Sequence, residues 1–230
     1  MSGPNEDNAT LQPRTHERDA LAAKLKTESG LGGNIIILSG DEARLNEDDK
    51  ALLAQFSGTA RKMGIFPAPK LFLYETEDGD DSTNAICGMI DGVYVVGISQ
   101  SMKRAIQAGE RSDLGSAALD RLVAVAAHEE AHIKHKDLSP TARGQEPGLD
   151  SIKVELRADK EAVRATCNPQ ALEESLVLSY LADARAEGTT VNKLVSEESQ
   201  DASNDHPILP TRLAHLDYLK AHPPRGCKAK

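Results

Sequence analysis

His128-Glu129-Glu130-Ala131-His132 places two histidines four residues apart, directly behind the apolar run Leu122-Val123-Ala124-Val125-Ala126-Ala127. On a helix, positions i and i+4 share a face, so His128 and His132 can aim two imidazoles at one metal ion. Glu129 then lies beside the ion's open position, where a carboxylate can take a proton from metal-bound water. This is the HExxH pattern of zinc peptidases, with the Glu as general base. The bland alternative is two solvated histidines on an amphipathic helix, with Glu129 and Glu130 as surface charges. The small apolar residues before the motif argue against it, because they carry the helix into a core.

A catalytic zinc takes three protein ligands and leaves the fourth position to water. Glu155, in Val154-Glu155-Leu156-Arg157-Ala158-Asp159, is the candidate third ligand. Leu138 to Asp150 contains Pro140, Gly144, Pro147 and Gly148 and reads as a loop. A second helix from about Ser151 to Thr166 can then fold back beside the first and bring Glu155 to the histidines. Asp159 lies one turn further on the same face, placed to accept the outer ring N–H of a ligand histidine and fix its tautomer. Without a metal, Glu155 and Asp159 would read as surface carboxylates pairing with Arg157 or Lys160. His135 is a poor competitor, because ligands crowded onto one helix do not easily complete a tetrahedral site. The metzincin pattern needs Gly and His where this chain has His135 and Leu138. His135 reads instead as a polar helix-end residue, favourable near a C-terminus when charged.

Taken together, Ala124-Val125-Ala126-Ala127-His128-Glu129 and the later Glu155-x-x-Ala158-Asp159 resemble the gluzincin family of the type I CAAX prenyl endoprotease and the HtpX heat-shock protease. Asn84-Ala85-Ile86-Cys87-Gly88 is similar to that family's Asn-Ala strand before the catalytic helix. Val93 to Ser99 is similar to the next strand, which leads into a short helix. His206-Pro207, with Arg212 further on, is similar to its His-Pro…Arg element. The likeness runs from about Met63 to Leu219. It implies a zincin-like core and a zinc-dependent endopeptidase that hydrolyses a protein or peptide substrate by metal-activated water. It also implies His206 as oxyanion donor, with Arg212 supporting it or binding substrate. The chain departs from the family pattern at Glu130-Ala131, where Leu-Gly or a similar pair is usual, and Glu130 is expected to face solvent or substrate. The membrane members' spanning helices have no counterpart here, so the likeness is to the soluble catalytic core. The ImmA/IrrE type of regulatory peptidase also uses HExxH and a later Glu, but usually has Asn where Asp159 stands and lacks His-Pro…Arg. A metal-binding interaction module descended from a peptidase fits the ligands too, although a module has no need of Glu129. A third reading is an enzyme held latent, its cleft covered by residues 1–33 or 188–205.

The elements that must position these residues follow from pattern. Residues 1 to about 15 are polar and expected to be disordered, and His16 to Thr27 is a short helix; residues 1–33 form an N-terminal extension to a catalytic domain at 34–222, with a tail at 223–230. Asn34 to Leu38 is a strand or packed segment, and Asp41 to Met63 a helix with Asp41 as its cap. Lys70 to Tyr74 is a strand, and the acidic run from Glu75 to Asp81 a solvated turn. Strands at Asn84–Met89 and Val93–Ser99 are joined by Ile90-Asp91-Gly92, a hairpin signal. Asn168-Pro169 opens a helix to about Glu187, with Asn as cap. Residues 188–205 read as a surface loop and Pro210 to Ala221 as a last helix. The expected fold is α+β and mainly helical, a small antiparallel sheet packing on the HExxH helix. Asn84, Ala85 and Gly88 would lie on a sheet edge to which an extended peptide can add as a strand.

Composition narrows the functions. A net charge of −9 disfavours nucleic acid and anionic membranes as partners. With 39% hydrophobic residues but 3% aromatics and no Trp, the core must be aliphatic and rich in Ala. No Sec signal peptide and no span of the roughly 20 apolar residues that cross a bilayer is visible. Cys87, Cys167 and Cys227 are odd in number and widely spaced, which suits a reducing compartment without disulfides. Cys87 reads as a small buried residue. The expectation is a cytoplasmic protein, with non-Sec export left open.

Overall fold

Lys70 to Tyr74 and Val93 to Ser99 are apolar at nearly every position, which is the pattern of strands covered on both faces. The computed structural model describes residues 7–29, 31, 33–40, 42–75, 83–109, 114–138, 149–200 and 208–228, with backbone alone at 7–16, 149–151 and 198–200. Its elements are α1 (Asp7–Ser29), β1 (Ile35–Ile37), a 3-10 turn (Glu42–Arg44), α2 (Glu47–Met63), β2 (Lys70–Tyr74), β3 (Ala85–Ile90) and β4 (Val93–Ser99). Helices α3 (Gln100–Ala108), α4 (Ala118–His135), α5 (Leu149–Thr166), α6 (Pro169–Ala186), α7 (Val191–Gln200) and α8 (Leu209–Ala221) follow. The chain is α+β and mostly helical. Among the described residues, no helix is long and apolar enough to cross a membrane.

The strands form one sheet in the order β1-β2-β4-β3. It is mixed, which corrects the expected antiparallel sheet. β1–β2 and β4–β3 are antiparallel, but β2 and β4 run parallel, with Lys70 opposite Val95 and Tyr74 opposite Ser99. The reason lies in burial. β4 buries its last five residues, whereas β3 exposes Met89 and half-exposes most others, so the hairpin docks with its more apolar strand inward. Asp91 and Gly92 both take positive φ (49° and 77°), as the tight hairpin turn requires. Leu71, Leu73, Val96 and Ile98 face the main core with α2 and α4, while Phe72, Tyr74 and Val95 meet Leu21 and Leu25 of α1 on the other face. Gly97 lets the Phe72 ring lie on β4, since a Cβ there would meet the ring at 2.4 Å.

Several expected boundaries move. Backbone is helical from Asp7, earlier than the predicted start at His16. Once Leu21 and Leu25 fix a helical turn against the sheet, each further residue adds a hydrogen bond at little extra cost. Asp41 lies outside the described residues, and α2 starts at Glu47, where the Asn46 side chain accepts from the Asp49 N–H at 2.8 Å. Asn168 caps α6 as predicted, accepting from Ala171 N at 3.1 Å. Residues 191–200 are helical where a loop was predicted. Thr190 supplies the cap to Lys193 N, and Val191, Leu194 and Val195 form a half-buried stripe at helical spacing. Most of the acidic turn, at 76–82, lies outside the described residues, as do 139–148 of the predicted loop.

Cys167 and Cys227 form a disulfide, against the expectation of none. It closes a span of 60 residues and ties the end of α5 to the segment after α8. Such a pairing depends on how two helices pack, which spacing alone does not reveal. The argument for a reducing compartment loses its ground with it. Cys87 is half-buried on β3 and packs beside the core instead of within it.

Candidate metal centre

α4 is the central helix. It touches α2, α3, α5, α6, β3 and β4, and every residue from Leu122 to His128 is buried. Ala124, Ala126, Ala127 and Ala131 are small enough to let these neighbours approach closely. The packing sets the helix's rotation, so the next turn presents His128 and His132 toward α5. Glu155 comes back from α5 to meet them. His128 Nε2 lies 3.0 Å from Glu155 Oε2 and 3.1 Å from His132 Nε2, and His132 Nε2 lies 3.4 Å from Glu155 Oε1. All three side chains are buried, and together they could hold a metal ion.

Behind His128 stands Asp159, fully buried, with Oδ1 2.9 Å from His128 Nδ1. The outer nitrogen of the ring therefore donates to the carboxylate and turns Nε2 toward Glu155. Arg212, from α8, clamps Asp159 with two hydrogen bonds, one from Nε at 3.1 Å and one from Nη2. Arg212 was predicted to support His206 or bind substrate; its guanidinium contacts Asp159, and Nη2 also lies 3.3 Å from His128 Nδ1. His206 and Pro207 lie outside the described residues.

The electrostatics follow from burial and these contacts. Burial and Arg212 both disfavour a charge on His128, yet its bonds to Asp159 and Glu155 outweigh them and push it up to about 9. His132 moves the other way, lowered by burial and by the neighbouring His128. Burial would raise Asp159, but Arg212 and His128 hold it well below the usual carboxylate range.

Glu129 is partly exposed on α4, unlike its neighbours His128 and Glu130. Glu130, expected to face solvent or substrate, is instead 0% exposed, and neither carboxylate oxygen has a hydrogen-bond partner among the described residues. It follows Glu129 by one position and so points to another side of the helix, toward α2. Burial is the largest influence and outweighs the opposing effect of Thr59 and the Ala60 backbone, so the Glu130 carboxyl is pushed up to about 8. His135 is lowered by burial and then by Arg157, which disfavours the charge its predicted helix-end role called on.

β3 is an outer strand of the sheet, with Ala85 and Gly88 half-buried on it; Asn84 precedes it, exposed, its N–H donating to Ser99 Oγ and its C=O accepting from Ser99 N. The strand's entry is fixed by Asp183 of α6, which accepts from Thr83 N at 2.7 Å and from Thr83 Oγ1 at 3.0 Å. Sequence reasoning missed this anchor, and it missed Asp137, whose Oδ2 lies 3.4 Å from His132 Nδ1. The available signal for Asp137 was its position five residues after His132, just past the helix end. Comparisons of the chain with protein-family models, with curated proteins and with solved structures found no match.

Proposed function

We propose that this chain is a zinc-dependent endopeptidase with a zincin-like core. One observation carries the reading: two HExxH imidazoles and a carboxylate from a neighbouring helix converge, with one ligand atom of each within 4.8 Å of the others. Donors around a tetrahedral zinc with bonds near 2.0–2.1 Å stand about 3.3 Å apart, and the two Nε2 atoms already stand at about that spacing with the Glu155 carboxylate beside both. Two histidines and one glutamate are also a known donor set of catalytic zinc, one that leaves a fourth position for water. When bound, zinc supplies an acidified water and polarises the scissile carbonyl.

The chain's own residues do the rest. Glu129 takes the proton of the attacking water and delivers it to the leaving amine. Asp159, clamped by Arg212, holds His128 in one tautomer and raises its basicity toward a metal. The outer edge of β3 offers an extended peptide main-chain pairing, which tolerates many side chains; Asn84 precedes the strand and bonds Ser99 through its own N–H and C=O, so it contributes its side chain alone. His206 is the residue that the gluzincin resemblance implies for the oxyanion.

The test is cleavage of an unfolded protein by zinc-loaded wild type and Glu129→Gln. The reading expects cleavage by wild type and a loss of at least a hundredfold in the variant, in line with the weight of a general base. Zinc bound by both proteins with cleavage by neither points to a metal-binding module instead.

A further inference from the structure

His128 has its outer-shell carboxylate in Asp159; the end of α4 builds a second such arrangement for His132. Lys136 adopts a left-handed conformation with φ 60° and caps the helix. Its N–H donates to Ile133 O at 3.1 Å, and the N–H of Asp137 donates to His132 O at 3.0 Å. This 5→2 and 6→1 pair is the Schellman motif, which reverses the chain at the helix end. The reversal carries the Asp137 side chain back along the helix to the His132 ring, so that Oδ2 stands 3.4 Å from Nδ1. Its other oxygen accepts from Arg157 Nη2 of α5 at 2.6 Å. The Asp137 side chain is 11% exposed and Arg157 44%. The two ligand histidines thus have parallel supports, each an aspartate held by an arginine.

We propose that Asp137 is a positioning residue for the metal centre: it accepts a hydrogen bond from the Nδ1–H of His132, fixes the tautomer that leaves the Nε2 lone pair free for a metal, and holds the ring toward Glu155. The inference rests on the reading of His128, His132 and Glu155 as metal ligands. Arg157 only steadies Asp137 from a more exposed position, so it acts less strongly.

The experiment is zinc affinity by competition with a chromophoric chelator, for wild type, Asp137→Ala, Asp137→Asn, Arg157→Ala and Glu155→Gln. Outer-shell partners of this kind are worth about 10–100-fold in metal affinity. Asp137→Ala is expected to lose that much, Asp137→Asn less because it keeps an acceptor oxygen, and Arg157→Ala less than about threefold. The visible spectrum of the cobalt-loaded protein should shift in Asp137→Ala and not in Arg157→Ala. Wild-type affinity in Asp137→Ala overturns the proposal while leaving the metal centre standing. Equal losses in Asp137→Ala and Arg157→Ala also overturn it, because the pair then only docks α5 on α4. If wild type takes up no zinc and behaves like Glu155→Gln, the ligand assignment and this inference fall together.

Discussion

Asp159→Asn isolates the support behind His128 in the candidate metal centre. Asp159 is 0% exposed and the Arg212 side chain 13%, and the two share a bidentate contact. Removing one member of a buried ion pair leaves the other charge desolvated and unpaired, which typically costs about 3–5 kcal/mol. Asparagine keeps an acceptor oxygen, so the lower end applies: about 3 kcal/mol, or a fall in Tm of roughly 6–12 °C for a chain of this size. The assay is thermal and urea unfolding of chelator-treated protein, so that lost metal binding contributes nothing. Arg212→Met and the double variant Asp159→Leu/Arg212→Met complete the set. Replacing both partners by apolar groups should be much milder than the sum of the single losses. The pH dependence has a definite sign. The folded pKa of Asp159 is depressed, so its stabilisation is present above the unfolded value near 3.9 and is lost only as pH falls through the lower folded one. A loss under about 0.5 kcal/mol in Asp159→Asn, or strict additivity in the double variant, refutes the reasoning.

Glu130 titrates the opposite way. Its folded pKa is raised from 4.5 to about 8, so its contribution is present at acidic pH and lost as pH rises through that window. Urea unfolding of wild type should weaken by roughly 3–5 kcal/mol between pH 4.5 and 8 from this group, and Glu130→Gln should remove that slope; equal slopes would contradict it. Breaking the Cys167–Cys227 bond frees a span of 60 residues, which removes about 4 kcal/mol by the chain-entropy estimate. Cys167→Ser, or dithiothreitol on wild type, should lower Tm accordingly, and no change in either would show the bond to be absent in solution. Asn46→Ala should cost about 1 kcal/mol through loss of the α2 cap, read as a shift in urea midpoint at constant slope.

The pairing of His128 with His132 was the most legible part of the candidate site, because i,i+4 spacing on one helix is a local property. Glu155 and Asp159 needed one further inference, that α5 folds back on α4, and the proline- and glycine-bearing segment between them suggested it. The elements with strong patterns were also readable, including β2, the Asp91-Gly92 hairpin and the Asn168 cap. What spacing could not reveal was long-range. The parallel pairing of β2 with β4 depends on which hairpin strand is more apolar overall. The Cys167–Cys227 bond depends on the packing of α5 and α8, and the clamp of Arg212 on Asp159 depends on the same contact. Glu130 misled because a carboxylate reads as surface, and only the fold shows that its side of α4 faces α2. Asp137 was hidden by a left-handed lysine at a helix end where glycine is the usual signal.

Elemental analysis of purified wild type, Glu129→Gln and Glu155→Gln after zinc loading and desalting tests the central claim most directly. The account predicts about one zinc per chain in wild type and in Glu129→Gln, where the ligands are intact, and little in Glu155→Gln, which loses the third donor. Wild type without zinc, or Glu155→Gln with as much zinc as wild type, would contradict it.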